Sequence, residues 1–320
     1  MRQLALVTGA AGFLGSHVVD ALLDFGYQVV GLDDLSTGSL DNLCAAGRNS
    51  RFDLQIADVR YAIGCRPNLI FNLACPASPV QYSRDPARTF TTSVLGAQRV
   101  AEAARDAGCR VVHASSSEVY GMPQVHPQTE DYRGSVDTMS PRACYSEGKR
   151  AAETVMSVAR DRWHVDVRVV RIFNCYGPRM ALGDGRVVPT FVHQALTSED
   201  LVVYGDGQQT RSFMHSSDFV SAFVRIGTDE ELILPPALNL GNPEEVPIGA
   251  LARKVVKLCH SKSQIKICPE LLPAGDAEQR CPDVALAKAA LDWAPAVPLE
   301  QGLAQVVEEI RRRLAKENAQ

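Results

Sequence analysis

Tyr145 and Lys149 stand four residues apart in Cys144-Tyr145-Ser146-Glu147-Gly148-Lys149-Arg150, a spacing that on a helix brings both side chains to one face. A phenol with an ordinary pKa of about 10 is a poor base at neutral pH, but a neighbouring ammonium and a cationic ring both favour the phenolate. Such a pair can remove the proton of a hydroxyl while hydride leaves the carbon that carries it. Tyrosine and lysine at this spacing are also common on solvated helices, so the pair needs corroboration from its surroundings.

Ahead of that helix, Ser115-Ser116-Ser117-Glu118-Val119-Tyr120-Gly121 lies at the carboxyl end of an apolar strand pattern. Its hydroxyls can bond a reacting substrate oxygen, Ser116 being the best placed, although any one of them could equally serve only loop backbone. Glu118 reads either as the partner of a nearby arginine or as a carboxylate that holds a water or manages a proton.

These groups need a scaffold, and the first half of the chain describes one. Apolar runs at Leu4 to Val7, Gln28 to Leu32, Leu54 to Ala57, Leu69 to Leu73 and Arg110 to Ala114 alternate with helical patterns at Leu14 to Phe25 and Ala87 to Ala107. A helix over Pro141 to Trp163, with proline in its first turn, and a strand over Val165 to Ile172 complete a sheet of about six or seven strands. The alternation predicts an α/β fold, a doubly wound parallel sheet of Rossmann type, with a smaller C-terminal α+β substrate lobe over the carboxyl edge of the strands. The expected division is 1–177, with a return segment at about 212–243, for dinucleotide binding, and 178–211 with 244–320 for the substrate lobe.

The first strand ends in Gly9-Ala10-Ala11-Gly12-Phe13-Leu14-Gly15 and runs straight into a helix. Glycines at this spacing let backbone turn tightly and approach a pyrophosphate, with the helix N-terminus facing the phosphates. Asp33, at the tip of the second strand, is placed to accept hydrogen bonds from an adenosine ribose and would repel a 2'-phosphate, so NAD is expected rather than NADP. Asp34 beside it reads as a solvated loop residue, and Asp58-Val59, after the third strand, as flanking the adenine.

Composition narrows the partners. A formal net charge of -4 with scattered basic residues leaves no footprint for nucleic acid, and Arg311, Arg312 and Arg313 read as the solvated face of a terminal helix. No apolar run approaches a membrane span. Nine dispersed cysteines without a C-x-x-C pair read as reduced thiols, which points to cytoplasm and to neither a disulfide framework nor a metal site.

With the fingerprint, the serine-rich strand end and the Tyr-x-x-x-Lys helix in this order, the chain resembles the extended short-chain dehydrogenase/reductase family, and within it the UDP-glucuronate decarboxylases. The resemblance covers nearly the whole chain. It is carried further by Asn72-Leu73-Ala74-Cys75-Pro76-Ala77-Ser78-Pro79, Arg171-Ile172-Phe173-Asn174, Tyr176-Gly177-Pro178-Arg179-Met180, Asp184-Gly185-Arg186-Val187-Val188, Val203-Tyr204-Gly205-Asp206-Gly207, Gln209-Thr210-Arg211-Ser212-Phe213 and Gln279-Arg280.

The resemblance implies that Phe13, Leu14, Thr37, Gly38 and Leu73 join the glycines around the dinucleotide, and that Glu118 and Arg280 lie near a substrate carboxylate. It further implies that Ser117, Asn174, Arg186, Val188, Tyr204 and Arg211 hold a UDP-sugar acid, and that the protein is a homodimer packed through the two long helices. The implied reaction is oxidation at C4 of UDP-glucuronate, loss of carbon dioxide from the β-keto acid so formed, and return of the hydride to give UDP-xylose. The alternatives are a 4-epimerase acting on the same acid and, more remotely, a non-catalytic nucleotide-binding protein. The chain departs from the family pattern at Thr91 and Ser93, where lysine and asparagine are expected, at Pro189-Thr190, where Ser-Asn is, and at Cys175, where threonine is.

Overall fold

The computed structural model describes residues 3–61, 63–272 and 277–317. β1 (Leu4–Thr8) is buried over its last four residues and leads through the glycine loop into α1 (Phe13–Asp24). β2 (Gln28–Asp33), β3 (Phe52–Ile56) and β4 (Leu69–Asn72) precede the short α2 (Pro79–Arg84) and the long α3 (Pro86–Ala107). Asp85 caps α3 by accepting from the backbone N–H of Arg88 at 2.9 Å, and Gly108 ends it in the left-handed conformation at φ 68°.

β5 (Arg110–Ser116), α4 (Ala143–Trp163) and β6 (Val167–Ile172) follow. The proline expected in the first turn of α4 lies just outside it. Ala143 N bonds Ser140 O at 3.0 Å in a separate turn, and the carbonyl of Arg142 receives the N–H groups of Tyr145 and Ser146. At the other end His164 turns left-handed and Val165 N bonds back to Ala159 O, so β6 begins two residues later than the apolar run suggests.

Beyond β6 come β7 (Cys175–Tyr176), α5 (Val187–Leu196), β8 (Leu201–Tyr204), β9 (Thr210–Ser212), β10 (Met214–His215), α6 (Ser216–Thr228) and β11 (Ala237–Leu240). The chain finishes with β12 (Glu245–Pro247), α7 (Ile248–Cys259), β13 (Ile265–Cys268), β14 (Gln279–Arg280), α8 (Ala285–Leu291) and α9 (Leu299–Glu317).

The central sheet runs β3-β2-β1-β4-β5-β6-β11 with every neighbouring pair parallel. Strand order reverses between β1 and β4, which opens a crevice at their carboxyl ends. On one face Val7, Val18, Leu22, Phe71, Phe219 and Phe223 join the sheet to α1 and α6; on the other Leu6, Ile70, Val100 and Met156 join it to α3 and α4. Each such large side chain contributes about 1.5–3 kcal/mol by leaving water. Val192, Leu201, Leu251, Val255, Leu303 and Ile310 form a third cluster, where α5, α7 and α9 pack with β8. Small sheets β12-β9-β14 and β13-β8 complete that part of the molecule.

Candidate active site

A cavity of about 2140 Å³ lies at the carboxyl ends of the central strands. Its wall includes Gly9, Gly12, Phe13, Leu14, Gly15, Thr37 and Leu73, then Ser116, Ser117, Glu118, Tyr145 and Lys149, and, from later segments, Asn174, Arg186, Val188, Tyr204, Arg211 and Arg280. Residues spread over most of the chain thus converge on one space.

The glycine loop is a cradle that a side chain would fill. Gly9 has φ 70°, and a Cβ there would meet Ala74 N at 2.9 Å; a Cβ at Gly15 would sit 1.9 Å from Gly9 O. Exposed backbone next to a helix N-terminus fits a dinucleotide pyrophosphate.

Four of the residues expected around the dinucleotide are not part of the cavity wall. Asp33 is turned back onto the loop, its two oxygens accepting from Ala11 N at 2.9 Å and Leu35 N at 2.8 Å. Burial raises its pKa, and those two amides work against the rise. Gly38 packs against Ala11 and Asp33, leaving no room for a side chain. Asp58 is engaged by Arg60 at 2.6 Å, and Val59 points under α3, where a Cβ at Gly96 would meet it at 2.8 Å. Asp34 is not a free loop residue but holds Arg88 of α3 at 2.6 Å. Asp33 and Asp58 find partners in nearby loops, whereas Asp34 and Val59 meet α3, whose position no local pattern reveals.

Three successive turns of α4 dock on three successive residues of β5. Tyr145 hydrogen-bonds Ser116, Lys149 Nζ donates to Ala114 O at 2.7 Å, and Glu153 accepts from Ser115 Oγ at 2.5 Å. Glu153 also takes both arms of Arg171 on β6, at 3.0 and 2.8 Å, which fixes the helix across two strands. Lys149 Nζ lies 5.9 Å from the Tyr145 ring centre, and Tyr82 of α2 stacks on that ring at 5.3 Å. Burial pushes the Tyr145 phenol well above its ordinary value, with the Ser116 hydrogen bond acting in the opposite sense. Beneath Lys149, burial and then the ammonium itself push His113 down to about 3, so it stays neutral.

Glu118 is doubly paired, with Arg142 at 2.8 Å and with Arg280. Burial would raise its pKa, but the two guanidiniums outweigh burial and hold it below its ordinary value of 4.5. Arg280 is 5% exposed, and its Nε is buried without a hydrogen-bond partner among the described residues. The register of β14 on β9 sets Arg280 directly beside Arg211, so two cations share one strip of wall. Asn174 Nδ2 is a second donor without a partner among the described residues, and Arg186 lies 3.6 Å from Asp184.

Glu153 could have been found from sequence, since it continues the Tyr145, Lys149 spacing by a further four residues. Tyr82 and Arg142 carry no such signal; only packing brings them in. The departures are accommodated locally: Thr91 accepts from Arg60 at 3.2 Å, Ser93 Oγ meets Cys75 Sγ at 3.1 Å, and Thr190 Oγ1 donates to Arg186 O at 2.8 Å. Cys175 is free, and burial raises its thiol. Arg313 is not on a solvated face. It donates to Met180 O at 2.9 Å and pairs with Glu309, whereas Arg311 meets Glu308 of its own helix.

A doubly wound sheet whose crevice holds a glycine cradle and a Tyr-Lys pair defines a dinucleotide-dependent oxidoreductase scaffold. The chain belongs to the NAD dependent epimerase/dehydratase family, whose model matches residues 5–241. It is 42% identical over 317 residues to UDP-glucuronic acid decarboxylase 1 of Arabidopsis thaliana, covering 99% of this chain and 72% of that protein. To UDP-glucuronic acid decarboxylase 1 of Danio rerio it is 42% identical over 313 residues, covering 98% and 74%. Among solved structures, UDP-glucuronic acid 4-epimerase from Bacillus cereus, in complex with UDP-glucuronic acid and NAD, superposes with TM-score 0.86 at 26% identity, covering 97% of this chain and 99% of that one.

Proposed function

We propose that the protein is an NAD-dependent UDP-glucuronate decarboxylase that makes UDP-xylose. The observation that carries this reading is the placement of the Glu118, Arg142 and Arg280 cluster on the same cavity as Tyr145 and Ser116. A redox-capable base and a site for a sugar carboxylate then share one space. The 42% identity to the curated decarboxylases supports the same choice.

NAD, when bound on the glycine cradle, supplies the acceptor that takes the C4 hydride and later gives it back. Tyr145 removes the C4 hydroxyl proton, and Lys149 and Ser116 stabilise the negative charge that develops. With C4 a ketone, the C5 carboxylate belongs to a β-keto acid, so carbon dioxide leaves and the electrons collect as an enolate. Glu118, held ionised by its arginines, orients a water that protonates C5 rather than donating a proton itself. Arg280 and Arg211 hold the carboxylate and diphosphate through paired N–H donors, with Ser117, Asn174, Arg186, Val188 and Tyr204 completing the substrate contacts. Asp33 steadies the loop and keeps lone pairs for a ribose. On this reading the segment 1–177 with 212–243 supplies the redox half of the site, and 178–211 with 244–320 the anionic-substrate half.

Incubated with UDP-glucuronate and NAD, the protein is expected to release carbon dioxide and leave a UDP-pentose, as followed by mass spectrometry of the nucleotide sugar. Unchanged mass with inverted C4 would make it a 4-epimerase, the reading that the Bacillus cereus neighbour favours.

A homodimer is part of the proposal. α3 and α4 pack together and leave Phe90, Leu95 and Val158 exposed at 41%, 43% and 47%, apolar surface that a second copy would cover. Light scattering should return twice the 34.7 kDa chain mass, and Leu95→Glu with Val158→Glu should shift it to the monomer. A monomeric wild type sinks this part of the reading. Nine free thiols suit a cytoplasmic, reducing compartment, and among the described residues no helix is long and apolar enough to cross a membrane.

A further inference from the structure

Pro178-Arg179-Met180 runs along the cavity wall just before the loop that carries Arg186. Three consecutive residues there are tied down from two directions. His17 of α1 lies 3.1 Å from the carbonyl of Pro178. Arg179 N donates to both carboxylate oxygens of Glu309 on α9, at 2.9 and 2.8 Å. Arg313, one turn further along α9, donates to Met180 O at 2.9 Å and also pairs with Glu309. The Arg179 guanidinium runs the other way and reaches Asp20 of α1 at 2.5 Å.

Arg179 has φ 72°, a left-handed conformation that residues with side chains rarely adopt. Glu309 holds its N–H in that conformation. The Nη1 of Arg179 is buried without a hydrogen-bond partner among the described residues, and Arg179 itself lines the cavity. α1 is the helix that closes the glycine loop, so these contacts join the dinucleotide cradle to the C-terminal helix. None of them involves Tyr145, Ser116 or Glu118.

We propose that Glu309 and Arg313 of α9, with Asp20 of α1, form a latch that keeps Pro178–Met180 closed over the dinucleotide and so sets how slowly it leaves. This inference rests on the reading of the protein as an enzyme that keeps its NAD from oxidation through hydride return. Exit must then be slower than turnover, and a latch spanning α1 and α9 has to break before the segment can lift. Glu309 and Arg313 act as positioning residues.

The test uses the full chain loaded with NAD, freed of excess by gel filtration and sampled over time for dinucleotide still bound. Glu309→Ala and Arg313→Ala should lose NAD at least tenfold faster than wild type, with Glu309→Gln and Arg313→Lys between. The change in loss rate should exceed any change in kcat measured at saturating NAD. During turnover of UDP-glucuronate the alanine variants should also shed NADH together with a UDP-4-keto-pentose. Loss rates in the Gln and Lys variants equal to wild type, with folded alanine variants also equal, overturn the latch alone. A wild type that binds no dinucleotide overturns the functional reading and the latch together.

Discussion

Tyr145→Phe is expected to lose about 10³-fold in turnover, within the range for removing a general base, while keeping its dinucleotide and its fold. The phenylalanine ring retains the stack on Tyr82 and the approach of Lys149, so only the hydroxyl and its bond to Ser116 are lost. One hydrogen bond costs about 1 kcal/mol of stability, too little to unfold the protein. Its pH dependence carries a sign as well. Because burial raises the phenol's pKa, the unliganded protein holds it protonated at neutral pH, and the base forms only when a cationic ring shares the site. Wild-type turnover should therefore climb with pH on its acid side, and the variant's residual rate should not. Activity within tenfold of wild type, with NAD content unchanged, would remove Tyr145 from its assigned role.

Glu118 and Arg280 should move binding and turnover in opposite ways. The cluster sets one carboxylate between two guanidiniums, and the Nε of Arg280 has no hydrogen-bond partner among the described residues, a donor suited to a second carboxylate. Arg280→Ala removes that donor together with one of the two guanidiniums on Glu118. The KM for UDP-glucuronate should rise by roughly 10- to 150-fold, equivalent to the loss of a charged hydrogen bond of about 1.5–3 kcal/mol. Affinity for UDP itself should hold. Glu118→Gln adds net positive charge, so KM should fall while kcat drops by about 10²-fold, because the group that orients water at C5 is gone. Since Glu118 is held below 4.5, its stabilising pairing is complete at neutral pH and is lost only as pH falls through that lowered value. Acid inactivation near pH 6 would then have another cause. If Arg280→Ala weakens UDP and UDP-glucuronate equally, Arg280 holds the nucleotide and not the sugar acid.

The fold is written in the sequence more plainly than the pairing of its charges. The parallel sheet was legible because strands buried on both faces are written as nearly unbroken apolar runs, and β1, β2 and β4 fall within a residue or so of the expected spans. The start of α4 was misplaced because a proline that suits a first helical turn also suits the tight turn that precedes one. Glu118 presented two readings in sequence. The structure supplies the arginines: Arg280 arrives from a strand 162 residues away and Arg142 from the turn before α4, and both line the cavity with Glu118.

The local chemistry was written in the chain: a glycine loop that no side chain can enter, a Tyr145-Lys149 pair one turn apart, and a strand end rich in hydroxyls. These depend on spacing along one element, and spacing is a property of the chain. Tertiary structure alone decided which charges face which. It tied Asp33 to the amides of Ala11 and Leu35 and Asp58 to Arg60, set Arg211 beside Arg280, stacked Tyr82 on Tyr145, and carried Arg313 from an apparent solvated stripe to the carbonyl of Met180. Charged side chains are long and take whatever partner folding brings within about 4 Å, so their pairing is written in the packing of distant elements and not in their neighbours along the chain.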